Sequence, residues 1–140
     1  MKKVYPSTKI FVAESKIKNA GRGIFAANDI EKDEIVEVSP MLEVPIDDVS
    51  VLKESILATY YFSFDDEQDL LAIVLGFGSI FNHSYEPNAT YKKNSKDRTL
   101  EFKALKNIKK GEEITVNYNY GDPNNKNPLW KEIPTFEQVT

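Results

Sequence analysis

A chain of 140 residues, 41% hydrophobic and 29% charged, has the size and composition of one globular domain and not of a disordered segment. A net charge of −4, from 18 basic and 22 acidic residues, argues against a nucleic-acid surface, which would need clustered Lys and Arg. The lack of cysteine excludes disulfides, Cys-based zinc sites and a thiol nucleophile, and no apolar run approaches the ~20 residues of a membrane span.

Residues 9–13 (KIFVA) read as a short strand. Gly21-Arg22-Gly23 reads as a tight turn, followed by a strand over 24–27. Lys32-Asp33 suits a turn, and 34–38 (EIVEV) alternates acidic and apolar residues as a half-buried strand does. Ser39-Pro40 breaks that run, and 42–44 is another short strand. Residues 48–58 predict a helix with Val49, Leu52, Ile56 and Leu57 on one face. Residues 69–75 (DLLAIVL) fit a short helix or a buried strand equally. Residues 90–93, 99–102 and 113–118 complete the strands, with Gly111 turning the chain before the last. From Asn124 to the end, Asn, Lys and Pro dominate and the strand pattern stops. So many short strands separated by turns predict a mainly β domain.

Several segments carry chemical interest. GRGIFA at 21–26 matches G-x-G-x-x-A, but a turn and then a strand follow where that fingerprint must open a helix, which argues against a dinucleotide fold. What remains is a glycine turn, or a place where backbone approaches a ligand closely. GFGSIFNHSYEPNA at 76–89 holds the only histidine. One His without Cys does not make a zinc site, and Ser84 is not on a G-x-S-x-G elbow. Asn82, His83, Ser84 and Asn88 beside Phe77, Ile80 and Phe81 suit a buried polar turn. They also suit a pocket for a purine ring and a charged amino-acid tail. GEEITVNYNYG at 111–121 reads as a strand ending in two tyrosines, and TYYFSF at 59–64 as core or sheet surface. Asp65, Asp66, Glu67 and Asp69 lack calcium-loop spacing and read as a solvated turn.

In this order, GRGIFA, the YYF run, LGFGSIFNHSYEPNA and GEEITVNYNYG resemble the SET-domain family of protein-lysine methyltransferases, over about residues 9–121. GFGSIFNHS and GEEIT look especially like the short viral SET proteins. The most specific feature is N-H-S-x-x-P-N followed about 25 residues later by G-E-E-I-T-x-x-Y. The resemblance implies a single domain over 1–140, built as a β-clip of small curved sheets with a knot-like C-terminal threading. It implies S-adenosyl-L-methionine as cofactor, S-adenosyl-L-homocysteine as product, and no metal. Carried onto this chain, Gly21, Arg22 and Gly23 would lie against the cofactor, with Arg22 near its carboxylate. Asn82 would bond its amino-acid end, His83 would meet the adenine through its backbone, and Phe81 would support the adenine pocket. Tyr118 would be the catalytic tyrosine, also touching the cofactor. Tyr60 would be the second catalytic and channel tyrosine, with Tyr61 adjacent as a competitor, and Tyr120 a further channel wall.

This chain departs from many relatives at Tyr85, where they carry cysteine, and at Asn117, where they carry aspartate. It also lacks their cysteine-rich zinc module, so the tail from Asp122, with Leu129 and Trp130, is expected to pack over the substrate channel. The implied partner is a lysine-bearing protein such as a histone, with no direct nucleic-acid or membrane contact. The short viral members suggest a homodimer. No leader-like apolar run opens the chain, so an intracellular site is expected: cytoplasmic in a bacterium, nuclear if chromatin is the target. The rival readings are a SET-like cofactor or peptide-binding module without turnover, and a homo-oligomeric structural protein.

Overall fold

The computed structural model describes residues 1–64 and 67–129, so Asp65, Asp66 and Trp130 lie outside the described residues. Strands β1 (Ile10–Glu14) and β2 (Arg22–Ala26) form an antiparallel hairpin, in register from Ile10↔Ala26 to Glu14↔Arg22. Gly21 turns the connection at a φ of +77°, which an L side chain adopts only with strain. Strand β9 (Glu113–Val116) pairs antiparallel with β2 and parallel with the two-residue β6 (Asn82–His83). These make a four-stranded sheet in the order β1-β2-β9-β6.

A five-stranded antiparallel sheet has the order β4 (Tyr61–Phe64), β5 (Glu67–Val74), β3 (Ile35–Val44), β8 (Thr99–Ala104) and β7 (Ala89–Asn94). Strand β9 is buried at every position, and Leu100, Phe102 and Ala104 of β8 are fully buried. The core between the sheets joins Ile24, Ile114 and Val116 to Val36, Ala72, Leu100 and Phe102. Phe81 links them by stacking on Phe102, with ring centroids 4.4 Å apart and planes 14° from parallel. A buried phenyl of this kind contributes about 1.5–3 kcal/mol from area alone.

The mainly β expectation holds, and residues 69–74 resolve as strand, within β5, with Leu75 just beyond its end. Two expectations are corrected. Ser39-Pro40 does not break the chain: β3 runs through both. Pro40 sits where β3 exchanges partners, since residues up to Pro40 pair with β8 and those from Met41 with β5. A missing N–H costs least at such a handover. The helix expected over 48–58 shrinks to α1 (Val49–Lys53), flanked by short 3-10 turns at Ile46–Asp48 and Ile56–Thr59. Ser55 interrupts it, donating its hydroxyl to the Leu52 carbonyl and accepting from the Leu57 amide. Of the predicted apolar face only Leu52 is buried, while Ile56 is 81% exposed.

Candidate active site

The Gly-Arg-Gly and N-H-S segments meet around one buried carboxylate. Glu113, at the start of β9, accepts from the Ser15 hydroxyl (2.7 Å), the Lys16 amide (2.9 Å) and Asn82 Nδ2 (3.0 Å). Asn82 Nδ2 also donates to the Arg22 carbonyl at 2.8 Å and reaches Ser15 Oγ at 3.2 Å. Both amide hydrogens of Asn82 are therefore committed within the chain, and its Oδ1 has no partner among the described residues. Gly23 is needed for this approach. A Cβ there would run into Glu113 Oε1 and lie 3.0 Å from its Cδ and 3.1 Å from Asn82 Nδ2. A Cβ at Gly21 would instead meet nothing within 4 Å, so that backbone faces open space. Arg22 beside it is exposed.

The end of β9 is seated on the N-H-S strand. The Ser84 amide donates to the Val116 carbonyl at 2.9 Å, and His83 Nδ1 accepts from the Tyr118 amide at 2.9 Å. An accepting Nδ1 carries no proton, so the neutral ring holds its proton on Nε2. This bond draws Tyr118 out of the ladder, which is why β9 stops at Val116 and not at Tyr118 as the sequence predicts. The Tyr118 hydroxyl donates to the Phe81 carbonyl at 2.6 Å. Burial, and then the nearby Tyr60 phenol, push the Tyr118 pKa well above that of an ordinary tyrosine. Tyr118 is thus a phenol at any working pH.

Tyr60, Tyr118 and Tyr120 come together in the wall of a cavity of about 340 Å³. Tyr61 lines it as well, so position does not separate it from Tyr60. Tyr120 takes a φ of 57° and stays half exposed. From beyond the sheets, Asn125, Asn127, Pro128 and Leu129 complete the wall. Phe81 lines the cavity from below, and Gly21, Arg22, Gly23, Asn82 and His83 lie outside its lining. Among the described residues no group of three or more His, Asp or Glu converges as a metal site.

Sequence reasoning missed Glu113, Ser15 and the role of Asn88. Asn88 Nδ2 donates to the Glu113 carbonyl (2.9 Å), and its Oδ1 accepts from the Thr115 amide (2.8 Å), which clamps β9 along its edge. The legible signal was the pattern N-H-S-x-x-P-N ahead of G-E-E-I-T, whose polar residues at fixed spacing are each other's partners.

The chain matches the SET domain over residues 21–119. It is 31% identical over 99 residues to a Schizosaccharomyces pombe protein named histone-lysine N-methyltransferase, H3 lysine-37 specific, covering 70% of this chain and 66% of that one. It is 28% identical over 127 residues to histone-lysine N-methyltransferase SETD7 of Halocynthia roretzi, covering 83% of this chain but 33% of that one. In fold it resembles a Plasmodium falciparum protein described as a candidate histone methyltransferase, with a TM-score of 0.59, 27% identity, and coverage of 80% of this chain and 94% of that one. The chain thus spans just under two-thirds of the first relative and a third of the second. Motif order, strand pairing and relatives agree, and the chain belongs to the SET-domain family.

Proposed function

We propose that this chain uses S-adenosyl-L-methionine to methylate the side-chain amine of a lysine in a basic protein such as a histone. The observation that carries this reading is Tyr118: a buried phenol pinned to the Phe81 carbonyl, in the wall of an aromatic cavity, one bond from the N-H-S strand. Names of the relatives support the histone as substrate class.

The residues present fit the cofactor. Exposed Arg22 offers a cation for a carboxylate, Asn82 Oδ1 offers an acceptor for an ammonium group, and the backbone at Gly21 leaves room for close approach. When bound, S-adenosyl-L-methionine would supply an electrophilic methyl group on a sulfonium.

The chain's own residues would prepare the amine. A free lysine holds its proton with a pKa of about 10.4, and an apolar channel disfavours that charged form. Tyr118 cannot take the proton, because its own hydrogen is already placed and its ionisation is suppressed. Proton removal therefore falls to solvent at the channel mouth. Tyr118 instead orients: with its hydrogen on Phe81, its oxygen presents lone pairs to the cavity as fixed acceptors. The faces of Tyr60 and Tyr120 can stabilise cationic methylated amine. Alignment of this kind is worth several kcal/mol.

The test uses methyl-labelled S-adenosyl-L-methionine with histones and other basic proteins, comparing the wild type with Tyr118→Phe. Label should appear on lysine, and the variant should be slower by roughly 10²–10³-fold, the usual loss of one preorganised polar group. Failure of the wild type to bind the cofactor in calorimetry would refute the proposal. Binding without transfer to any basic protein would leave the inactive-module reading in its place.

A further inference from the structure

Asn117 directly precedes Tyr118 and is fully buried. Its Nδ2 donates to the Asn125 carbonyl at 2.7 Å, and its Oδ1 accepts from the Asn119 amide at 2.9 Å. Its own carbonyl accepts from the Gly121 amide at 3.0 Å. Asn119 repeats the pattern one step outward, its Nδ2 donating to the Asn127 carbonyl at 2.8 Å. Asn125 and Asn127 line the cavity that holds the Tyr118 phenol. No strand or helix includes residues 122–129, so no ladder fixes that wall. Its outer anchors are the Tyr85 hydroxyl, which donates to the Asn127 carbonyl at 3.3 Å, and Lys126, which donates to the Tyr85 carbonyl and pairs with Glu86 at 2.7 Å. That pair is 53% and 82% exposed, and such pairs contribute little. The buried Asn117 amide does most of the holding.

Resting on the methyltransferase reading, we propose that Asn117 is a positioning residue: its amide sets the wall at 125–129 against Tyr118 and so fixes the width of the lysine channel. Only an amide of this length donates to the Asn125 carbonyl while accepting from the Asn119 amide. Aspartate has the same shape but no donor. It would set a carboxylate oxygen against the Asn125 carbonyl in a buried place, where two acceptors repel.

The experiment compares the full chain with Asn117→Asp by hydrogen exchange, calorimetry with S-adenosyl-L-homocysteine, and steady-state kinetics on a histone substrate. Exchange over 119–129 should quicken roughly tenfold, as expected for one lost buried hydrogen bond, while β3 and β8 keep their protection. KM for the protein substrate should rise by a similar factor, with kcat changed less and cofactor affinity kept. A folded Asn117→Asp whose exchange matches the wild type, or quickens evenly across all strands, overturns the proposal. If that variant does not fold, Asn119→Asp removes only the outer bond and should loosen the same segment; unchanged exchange there overturns it equally. A wild type that transfers no methyl sinks the enzyme reading alone, since exchange still reports on the wall.

Discussion

Gly23→Ala tests whether the site hangs on the Glu113 carboxylate. A methyl group there overlaps Glu113 Oε1 and crowds Asn82 Nδ2 at 3.1 Å. To admit it, Glu113 must withdraw from Ser15 Oγ (2.7 Å), the Lys16 amide (2.9 Å) and Asn82 Nδ2 (3.0 Å). Hydrogen bonds to a charged group are worth about 1.5–3 kcal/mol each, and overpacking alone costs about 1–3 kcal/mol. Losing one bond puts the cost at about 3–6 kcal/mol, a large share of the ~5–15 kcal/mol that holds a domain together. Gly21→Ala is the control. Its new methyl touches nothing, so only the positive φ counts, at about 1–2 kcal/mol. Urea unfolding followed by circular dichroism measures both. In a Glu113→Ala background the main obstacle is gone, leaving only Asn82 Nδ2 at 3.1 Å, and Gly23→Ala should cost about 1 kcal/mol or less. A Gly23→Ala cost no larger than that of Gly21→Ala, or one unchanged by Glu113→Ala, would refute the reasoning.

Glu37 lies buried in β3, its carboxylate accepting from the Phe77 amide (3.0 Å) and Ser39 Oγ (3.2 Å), and burial raises its pKa above the ordinary 4.5. The folded state thus holds that proton more tightly than the unfolded one, so this residue's contribution falls as pH rises from about 4.5 through the raised value. The stability of Glu37→Gln relative to wild type, measured by urea unfolding across that window, should improve with rising pH; a flat difference contradicts this. Phe102→Ala removes the partner of Phe81 and contacts of Tyr91, and should cost about 3–5 kcal/mol in the same assay. A cost under 1 kcal/mol would mean that the two sheets do not depend on that stack.

What the sequence disclosed and what it hid follow from the range of the forces involved. Strands such as β2 and β8 are written in local alternation and apolar runs, and they appear close to where they are expected. Pro40 misleads because its tolerance depends on which neighbour β3 has at that residue, a matter of tertiary pairing. The stripe Val49, Leu52, Ile56 and Leu57 misleads because helical spacing says nothing of whether a partner surface exists. Strand β6 was not expected at all: two residues carry no periodicity, and only β9 makes them a strand. The tyrosines and the N-H-S string were legible through resemblance, whereas Glu113 and Asn117 were not. Their importance lies in burial and in specific partners at 15, 82, 119 and 125. Trp130, expected over the channel, is outside the described residues.

The pairing of β6 with β9 has a consequence for the order in which the molecule becomes competent. Asn82 and Thr115 meet across some thirty intervening residues, and so do His83 and Val116. Closing so long a span costs chain entropy before any contact repays it. A nascent chain lengthening by about 5–20 residues per second can pair β3, β5, β7 and β8 while β9 is still unmade. At that stage Asn82 and Asn88 lack their partners at Glu113 and Thr115, and His83 lacks the Tyr118 amide. Competence therefore waits for β9 and the residues that follow it to the cavity wall, and a fragment ending before Glu113 holds a sheet with no centre.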